Sequence, residues 1–143
     1  MPAASVPPRV LLVDDDPAFA ELVRCVLGID GVDVLAHAVD GAEGVELALE
    51  LRPEVVLMDV RMPRMDGLEA TRRILASLPE ARVLVVSSSK DPEDVQRALD
   101  AGAAGYLPKD RATAELVERL DQLAPRRASP ERRNGPFRVC LAG

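Results

Sequence analysis

Residues 10–17, Val-Leu-Leu-Val-Asp-Asp-Asp-Pro, contain the pattern that decides the fold. The run of four apolar residues is typical of a short strand that is buried on both faces, as strands of parallel sheets are. Asp16 and Pro17 then form a helix start signal, with aspartate as the N-cap and proline at the first helical position. The apolar residues that follow at helical spacing are Phe19, Leu22, Val23, Val26 and Leu27. We therefore predict a strand followed by an amphipathic helix.

The same alternation of short apolar runs and helical patterns continues along the chain to residue 123. Asp91-Pro92 repeats the helix start signal, and Pro125 follows the last helical pattern. This alternation predicts an α/β fold, in which a doubly wound, five-stranded parallel sheet is built with right-handed crossovers. The predicted strands are Val10–Val13, Val32–Val39, Val55–Met58, Val83–Val86 and Ala104–Leu107.

The length of 143 residues and the 48% hydrophobic content suit one domain with one tail. We predict an N-terminal extension in residues 1–8, a folded domain in residues 9–123, and a Pro/Arg-rich tail or linker in residues 124–143. Five arginines and one glutamate lie in that tail, so the acidic charge of the chain is concentrated before it. Because an acidic domain repels nucleic-acid phosphates and a charged tail is usually just solvated, we expect no direct nucleic-acid binding by residues 1–143.

The amino terminus lacks the basic and apolar regions of a signal peptide, and no apolar run is long enough to cross a membrane. Cys25 and Cys140 are far apart and show neither a disulfide framework nor a zinc-site spacing. We therefore expect a cytoplasmic protein without a membrane partner.

Polar residues follow the predicted strands, at the sheet edge where doubly wound folds bind ligands. Each of them alone has an ordinary structural role, because aspartates cap helices, serines fill loops and lysines are solvated; Asp16 is best interpreted as a cap. Such roles do not account for the convergence of carboxylates, a hydroxyl and an amine at one edge. The residues are Asp14, Asp15, Asp16, Asp59, Ser87, Ser88, Ser89 and Lys109.

Clustered carboxylates repel one another unless a cation neutralises them, and an all-oxygen set suits Mg²⁺ or Mn²⁺. An aspartate beside such an ion can attack phosphorus while an ammonium and a hydroxyl neutralise the phosphoryl oxygens. Lys109 and Ser87 supply these two groups. The pattern therefore indicates phosphoryl transfer at a metal site.

Four segments together resemble response-regulator receiver domains: residues 10–16, 57–67, 85–87 and 101–109. The resemblance covers residues 9–123 and implies a flavodoxin-like (βα)5 fold with strand order 2-1-3-4-5. The run Gly105–Asp110 is most similar to receivers that precede a LuxR-type helix-turn-helix domain. We therefore expect either a stand-alone receiver or the receiver part of a longer regulator.

The resemblance also implies roles for individual residues. Asp59 would accept a phosphoryl group from a sensor histidine kinase or a phosphotransfer protein. Asp15, Asp59 and the backbone carbonyl of Arg61 would bind Mg²⁺ directly, and Asp14 mostly through water. Lys109 would bind the phosphoryl group, and the chain would catalyse only its own phosphorylation and dephosphorylation.

Ser87 and Tyr106 occupy the positions of the switch residues in this resemblance. Phosphorylation would draw Ser87 inwards, and Tyr106 would turn from the surface into the space that this movement leaves. The face formed by the fourth helix, the fifth strand and the fifth helix would then bind an output partner or a second copy. The alternative for Tyr106 is an ordinary packing role in the core.

Three alternatives to a phosphorylated receiver stay open at this point. Asp14-x-Asp16 resembles the nucleophile motif of haloacid-dehalogenase-type phosphatases, although Ala18 replaces the usual Thr or Val and Asp59 would have no role. A degenerate receiver that only binds partners is the second alternative, and a DNA-binding output is the third.

The chain departs from many receivers at Asp110. Those receivers have a proline at this position, and a cis peptide bond joins it to the preceding lysine.

Overall fold

A computed structural model describes residues 5–128 of this protein. Its centre is a five-stranded parallel sheet with the order 2-1-3-4-5, as predicted. The strands are β1 (Val10–Val13), β2 (Val34–Ala38), β3 (Val55–Met58), β4 (Arg82–Ser87) and β5 (Gly105–Pro108). The helices are α1 (Pro17–Ile29), α2 (Gly41–Leu51), α3 (Gly67–Ser77), α4 (Pro92–Asp100) and α5 (Ala112–Leu123). One 3₁₀ turn, Lys109–Arg111, joins β5 to α5.

The sheet separates two hydrophobic clusters, because successive side chains of a strand point to opposite faces. Leu12 and Leu57 face α1 and α5, whereas Leu11 and Met58 face α2, α3 and α4. All four strand residues of β1 and of β3 are buried. These strands therefore appear in the sequence as continuous apolar runs, as expected for a sheet that is covered on both sides.

Aspartates cap helices α1 to α4, whereas α5 begins after Arg111 without a side-chain cap. The start signals predict two of these caps, Asp16 and Asp91. Asp16 accepts hydrogen bonds from the backbone N–H groups of Ala18 and Phe19 at 3.0 and 3.4 Å. Asp66 caps α3 and Asp91 caps α4 in the same manner, through N–H donors at 2.9 Å. Each cap satisfies a backbone donor that the helix itself leaves without a partner.

β2 is shorter than the predicted strand Val32–Val39. The backbone N–H of Val32 donates to the Leu27 carbonyl at 2.8 Å, so Val32 is part of the turn that ends α1. Val32 is nevertheless buried in the core. An apolar residue can thus belong to the core without joining the sheet, and sequence pattern alone does not separate the two cases.

The segments Ser5–Val6 and Arg127–Ala128 form a small antiparallel pair that the sequence does not predict. Two-residue strands are too short to show a hydrophobic period. The side chain of Arg126 bonds both the backbone carbonyl and the carboxylate of Asp30, at the end of α1. The predicted tail beyond residue 128, including Cys140, lies outside the described residues, and the domain limits stay a prediction.

Within residues 5–128 no helix is both long and apolar enough to cross a membrane. All peptide bonds in this part of the chain are trans, including the bond between Lys109 and Asp110.

Candidate functional site

The predicted site residues meet at the carboxyl edge of the sheet. Val13 of β1 lies opposite Met58 of β3, so the residues that follow them, Asp14 and Asp59, lie side by side. β4 and β5 end at the paired residues Ser87 and Pro108, which brings Lys109 to the same edge. An open cleft there is lined by Asp15, Asp16, Asp59, Arg61, Ser87, Ser88, Ser89 and Lys109.

Three carboxylates in this cleft are close enough to hold one metal ion. Single oxygen atoms of Asp14, Asp15 and Asp59 all lie within 4.8 Å of one another. Asp14 and Asp59 are buried, whereas Asp15 is exposed to solvent. An all-carboxylate set with exposed Asp15 at an open cleft matches Mg²⁺, which prefers oxygen ligands and usually keeps several water ligands. The donor set therefore fits the predicted ion, and the role of the Arg61 carbonyl stays a prediction.

Lys109 lies between the two buried carboxylates. Its Nζ atom is 2.9 Å from Oδ2 of Asp14 and 3.3 Å from Oδ2 of Asp59. The other carboxylate oxygen of Asp59, Oδ1, accepts a hydrogen bond from the backbone N–H of Val60 at 2.8 Å. The two oxygens of Asp59 thus have different partners, one fixed by the backbone and one shared with a charged side chain.

Burial and the neighbouring charges change the acidity of this pair. Burial, followed by repulsion from Asp14, raises the pKa of Asp59 to about 6. Burial alone would lower the pKa of Lys109, but its hydrogen bond to Asp14 and the charge of Asp59 outweigh that effect and raise it. One ammonium therefore does not fully compensate two buried carboxylates, and a divalent cation would.

This imbalance predicts how pH affects the metal-free protein. Because the pKa of Asp59 is higher in the folded than in the unfolded chain, its contribution to stability is complete below about pH 4 and is lost as the pH rises towards 6. Asp59→Asn lacks this loss. We therefore expect the free energy of unfolding of Asp59→Asn, minus that of wild type, to be about 2 kcal/mol larger at pH 7 than at pH 4. Denaturant unfolding in a chelator measures the difference; an equal difference at both pH values would contradict the prediction.

Ser87 and Tyr106 both form hydrogen bonds with Ser89, in the loop that connects β4 to α4. Ser87 is buried, and its Oγ accepts a hydrogen bond from the Ser89 backbone N–H at 3.2 Å. The Tyr106 hydroxyl donates to the Ser89 carbonyl at 2.7 Å, and Tyr106 is only 8% exposed. The predicted surface position of this ring before phosphorylation is therefore wrong. The ring packs in the cluster beside α4, and its one polar atom is satisfied by a backbone oxygen, so the buried position has little polar cost.

Three residues contact the site or its loops in ways that the sequence pattern does not predict. His37, from the edge strand β2, places Nε2 2.7 Å from the Asp14 carbonyl, so the ring nitrogen donates and the carbonyl accepts. Arg64 has a positive φ of 69° and forms an ion pair with buried Asp40, the N-cap of α2. Phe19, predicted only as a core residue, lies under the Lys109 ammonium at 4.6 Å from the ring centroid. None of these pairs shares a sequence pattern that could have indicated the contact.

Comparison with known proteins identifies the family of this chain. Residues 10–121 match the response regulator receiver domain family. The response regulator GacA from Pseudomonas viridiflava is 39% identical over 145 aligned positions, which cover 90% of this chain and 68% of that protein. GacA from Pseudomonas protegens is 44% identical over 113 positions. The chain spans between 53% and 68% of the length of these two relatives.

Solved structures show the same fold. A two-component response regulator of the LuxR family from Aurantimonas superposes with a TM-score of 0.79 at 36% identity, over 87% of this chain and 90% of that one. The complex of CheX, CheY, BeF₃ and Mg²⁺ from Borrelia burgdorferi contains a chain with a TM-score of 0.78 at 26% identity, matched over 82% of this chain and 90% of that one. The family match extends over the entire parallel sheet and nearly all of the helices. On these grounds the chain belongs to the response regulator receiver domain family of two-component signalling.

Proposed function

We propose that this receiver accepts a phosphoryl group on Asp59, from a sensor histidine kinase or a phosphotransfer protein, in a Mg²⁺-dependent reaction. The observation that carries the proposal is the position of Lys109, whose ammonium contacts Asp59 within a cluster of three carboxylates. No other described carboxylate cluster could hold a metal ion in this way. Mg²⁺ in the structure of the CheX–CheY complex is in accord with the assignment.

In the proposed reaction the ionised carboxylate of Asp59 attacks the phosphorus atom of the donor. The bond between phosphorus and the donor breaks, the donor leaves with the electron pair, and an acyl phosphate forms on Asp59. Asp14, Asp15 and Asp59 would hold Mg²⁺, which would neutralise negative charge on the phosphoryl oxygens. Lys109 turns its ammonium from Oδ2 of Asp59 to a phosphoryl oxygen, and the Ser87 hydroxyl donates to another.

The direct test uses acetyl phosphate as the donor and intact-mass spectrometry as the readout. We expect one added phosphoryl group with Mg²⁺ and none with a chelator, because the carboxylates alone would repel the donor. A chain that gains no mass with Mg²⁺, or gains it equally in the chelator, would exclude the proposed reaction.

Mg²⁺ is also expected to stabilise the fold without any phosphoryl group, because it relieves the repulsion between buried Asp14 and Asp59. A ligand that binds only the folded state adds about 2.7 kcal/mol at 100 times its dissociation constant. The melting temperature should therefore rise with added Mg²⁺, and this rise should shrink or vanish in Asp15→Asn. Asp16→Asn is the matched control, since asparagine is an equally good cap and Asp16 lies outside the carboxylate cluster. An undiminished rise in Asp15→Asn would argue against the metal site.

Phosphorylation is proposed to change the face formed by α4, β5 and α5, where an output partner or a second copy of the chain would bind. Ser87 can donate to the phosphoryl group only if its loop moves inwards. That loop also holds the Ser89 carbonyl to which Tyr106 is bonded. A charge-assisted hydrogen bond contributes about 1.5–3 kcal/mol, which suits a shift between two populated states.

Ser87→Ala tests this switch. We expect Asp59 still to be phosphorylated, while the change in amide hydrogen exchange across residues 87–121 on adding beryllofluoride and Mg²⁺ becomes smaller than in wild type. The reason is that the loop loses its hydrogen bond to the phosphoryl mimic. If the wild-type exchange pattern does not respond to beryllofluoride, Asp59 is a phosphate acceptor without this switch.

The phosphatase alternative gains no support from the site. Asp16, the acid that it would need, uses Oδ1 to accept the N-cap hydrogen bonds of α1, which accounts for this residue without a catalytic role. We propose that the chain acts on no substrate other than its own phosphoryl group and works in the cytoplasm, where a histidine kinase domain would reach it. A test for turnover of small phosphate esters separates the two functions.

A further inference from the structure

We infer that Phe19 is a positioning residue for Lys109, whose ammonium it holds over the buried carboxylates during phosphoryl transfer. The inference rests on the proposed function of the site and assigns a role to a residue outside the metal and phosphoryl ligands. It concerns four groups on four elements: the ring on α1, the lysine after β5, and the two carboxylates that follow β1 and β3.

The geometry gives the Lys109 ammonium two kinds of neighbour. Asp14 and Asp59 bind it through hydrogen bonds at 2.9 and 3.3 Å. The centroid of the Phe19 ring is 4.6 Å from Nζ, within the range of a cation–π interaction. Phe19 is 9% exposed and the Lys109 side chain 16% exposed, so little water separates them.

A lysine side chain has four rotatable bonds to its ammonium, which is strongly hydrated in water. Its bonds to Asp14 and Asp59 are directional, and the bond to Asp59 must break when the ammonium turns to a phosphoryl oxygen. The attraction of the ring face is less directional and does not compete for hydrogen bonds. Phe19 can therefore keep the ammonium in the cleft while its oxygen partners change.

A role as an ordinary core residue makes a different prediction. Phe19 also belongs to the hydrophobic cluster between the sheet, α1 and α5, together with Val23 and Leu116. If packing were its only function, its replacement would lower stability without a specific loss of transfer rate. Val23→Ala, on the same helix and in the same cluster, reports that outcome.

The experiment measures the rate at which acetyl phosphate with Mg²⁺ phosphorylates the full chain. Phe19→Leu removes the ring and keeps an apolar side chain, and we expect its rate to fall by about three- to tenfold. Phe19→Tyr retains the ring and should therefore keep most of the wild-type rate. Val23→Ala, the packing control, should lose stability but keep the wild-type rate. Phe19→Met is the second ring-free variant in case Phe19→Leu does not fold.

A spectroscopic readout of the metal-free chain is independent of phosphorylation. Protons over an aromatic face shift upfield, so the chemical shifts of the Lys109 ε-methylene protons should lie upfield in wild type and Phe19→Tyr, and should return to ordinary values in Phe19→Leu.

A wild-type rate in Phe19→Leu, or a rate loss that Phe19→Tyr does not reverse, would overturn the inference. If the wild-type chain is not phosphorylated at all, the proposed function fails instead, and unshifted ε-methylene protons in wild type would refute the contact by themselves.

Discussion

Asp59→Asn is expected to take up no phosphoryl group from acetyl phosphate at a time when the wild-type chain is fully modified. The amide has no ionised oxygen to attack phosphorus, and it removes one of the three carboxylates that would hold Mg²⁺. The loss should therefore be complete rather than partial. Intact mass measures it, and peptide mapping of the wild-type chain should place the single phosphoryl group on Asp59.

Asp66→Asn is the matched control for this variant. Asp66 follows Asp59 on the same loop, caps α3, and lies outside the carboxylate cluster. Asparagine preserves the cap, so the control should be phosphorylated at nearly the wild-type rate. Modification of Asp59→Asn at the wild-type rate would refute Asp59 as the acceptor. Slow modification of a neighbouring hydroxyl would be recognised by peptide mapping and would leave the assignment intact.

The second large effect is expected for Gly67→Ala, at the start of α3. A Cβ atom on Gly67 would lie 1.8 Å from the Asp59 carbonyl oxygen and 2.8 Å from its carbonyl carbon. The Gly67 N–H also donates to the Val60 carbonyl at 2.8 Å, which holds the helix start against this loop. Because the obstacle is backbone, it cannot turn aside as a side chain would. We expect a loss of about 3 kcal/mol or more in the free energy of unfolding.

Gly28→Ala provides the opposite case in the same protein. Gly28 lies in α1, and a Cβ atom there would have no neighbour within 4 Å. Alanine favours the helix, so this variant should be unchanged or up to about 1 kcal/mol more stable. Denaturant unfolding of both variants measures the contrast. Equal stabilities would mean that Gly67 does not pack against the Asp59 backbone as described.

The parallel sheet could be predicted because the signals are local and repeated, whereas its strand order follows only from the resemblance to receiver domains. The apolar run Val10–Val13 and the start signal Asp16-Pro17 predict β1 and α1 from adjacent residues alone. The meeting of Asp59 and Lys109 also follows, since parallel strands end at a common edge. Strand ends do not follow from these signals, as Val32 illustrates, because a buried residue outside the sheet is as apolar as one within its hydrogen-bonded ladder.

The sequence by itself therefore determined the family, the parallel sheet and the set of residues at its carboxyl edge. Only the tertiary structure decided the buried position of Tyr106, the contact of His37 with Asp14, and the placement of Phe19 under Lys109. The physical reason is that periodicity and capping act between residues close in the chain, whereas these contacts depend on distances and directions between side chains from separate elements. His37 and Asp14 are 23 residues apart, and no sequence pattern links a histidine to a backbone carbonyl at that separation.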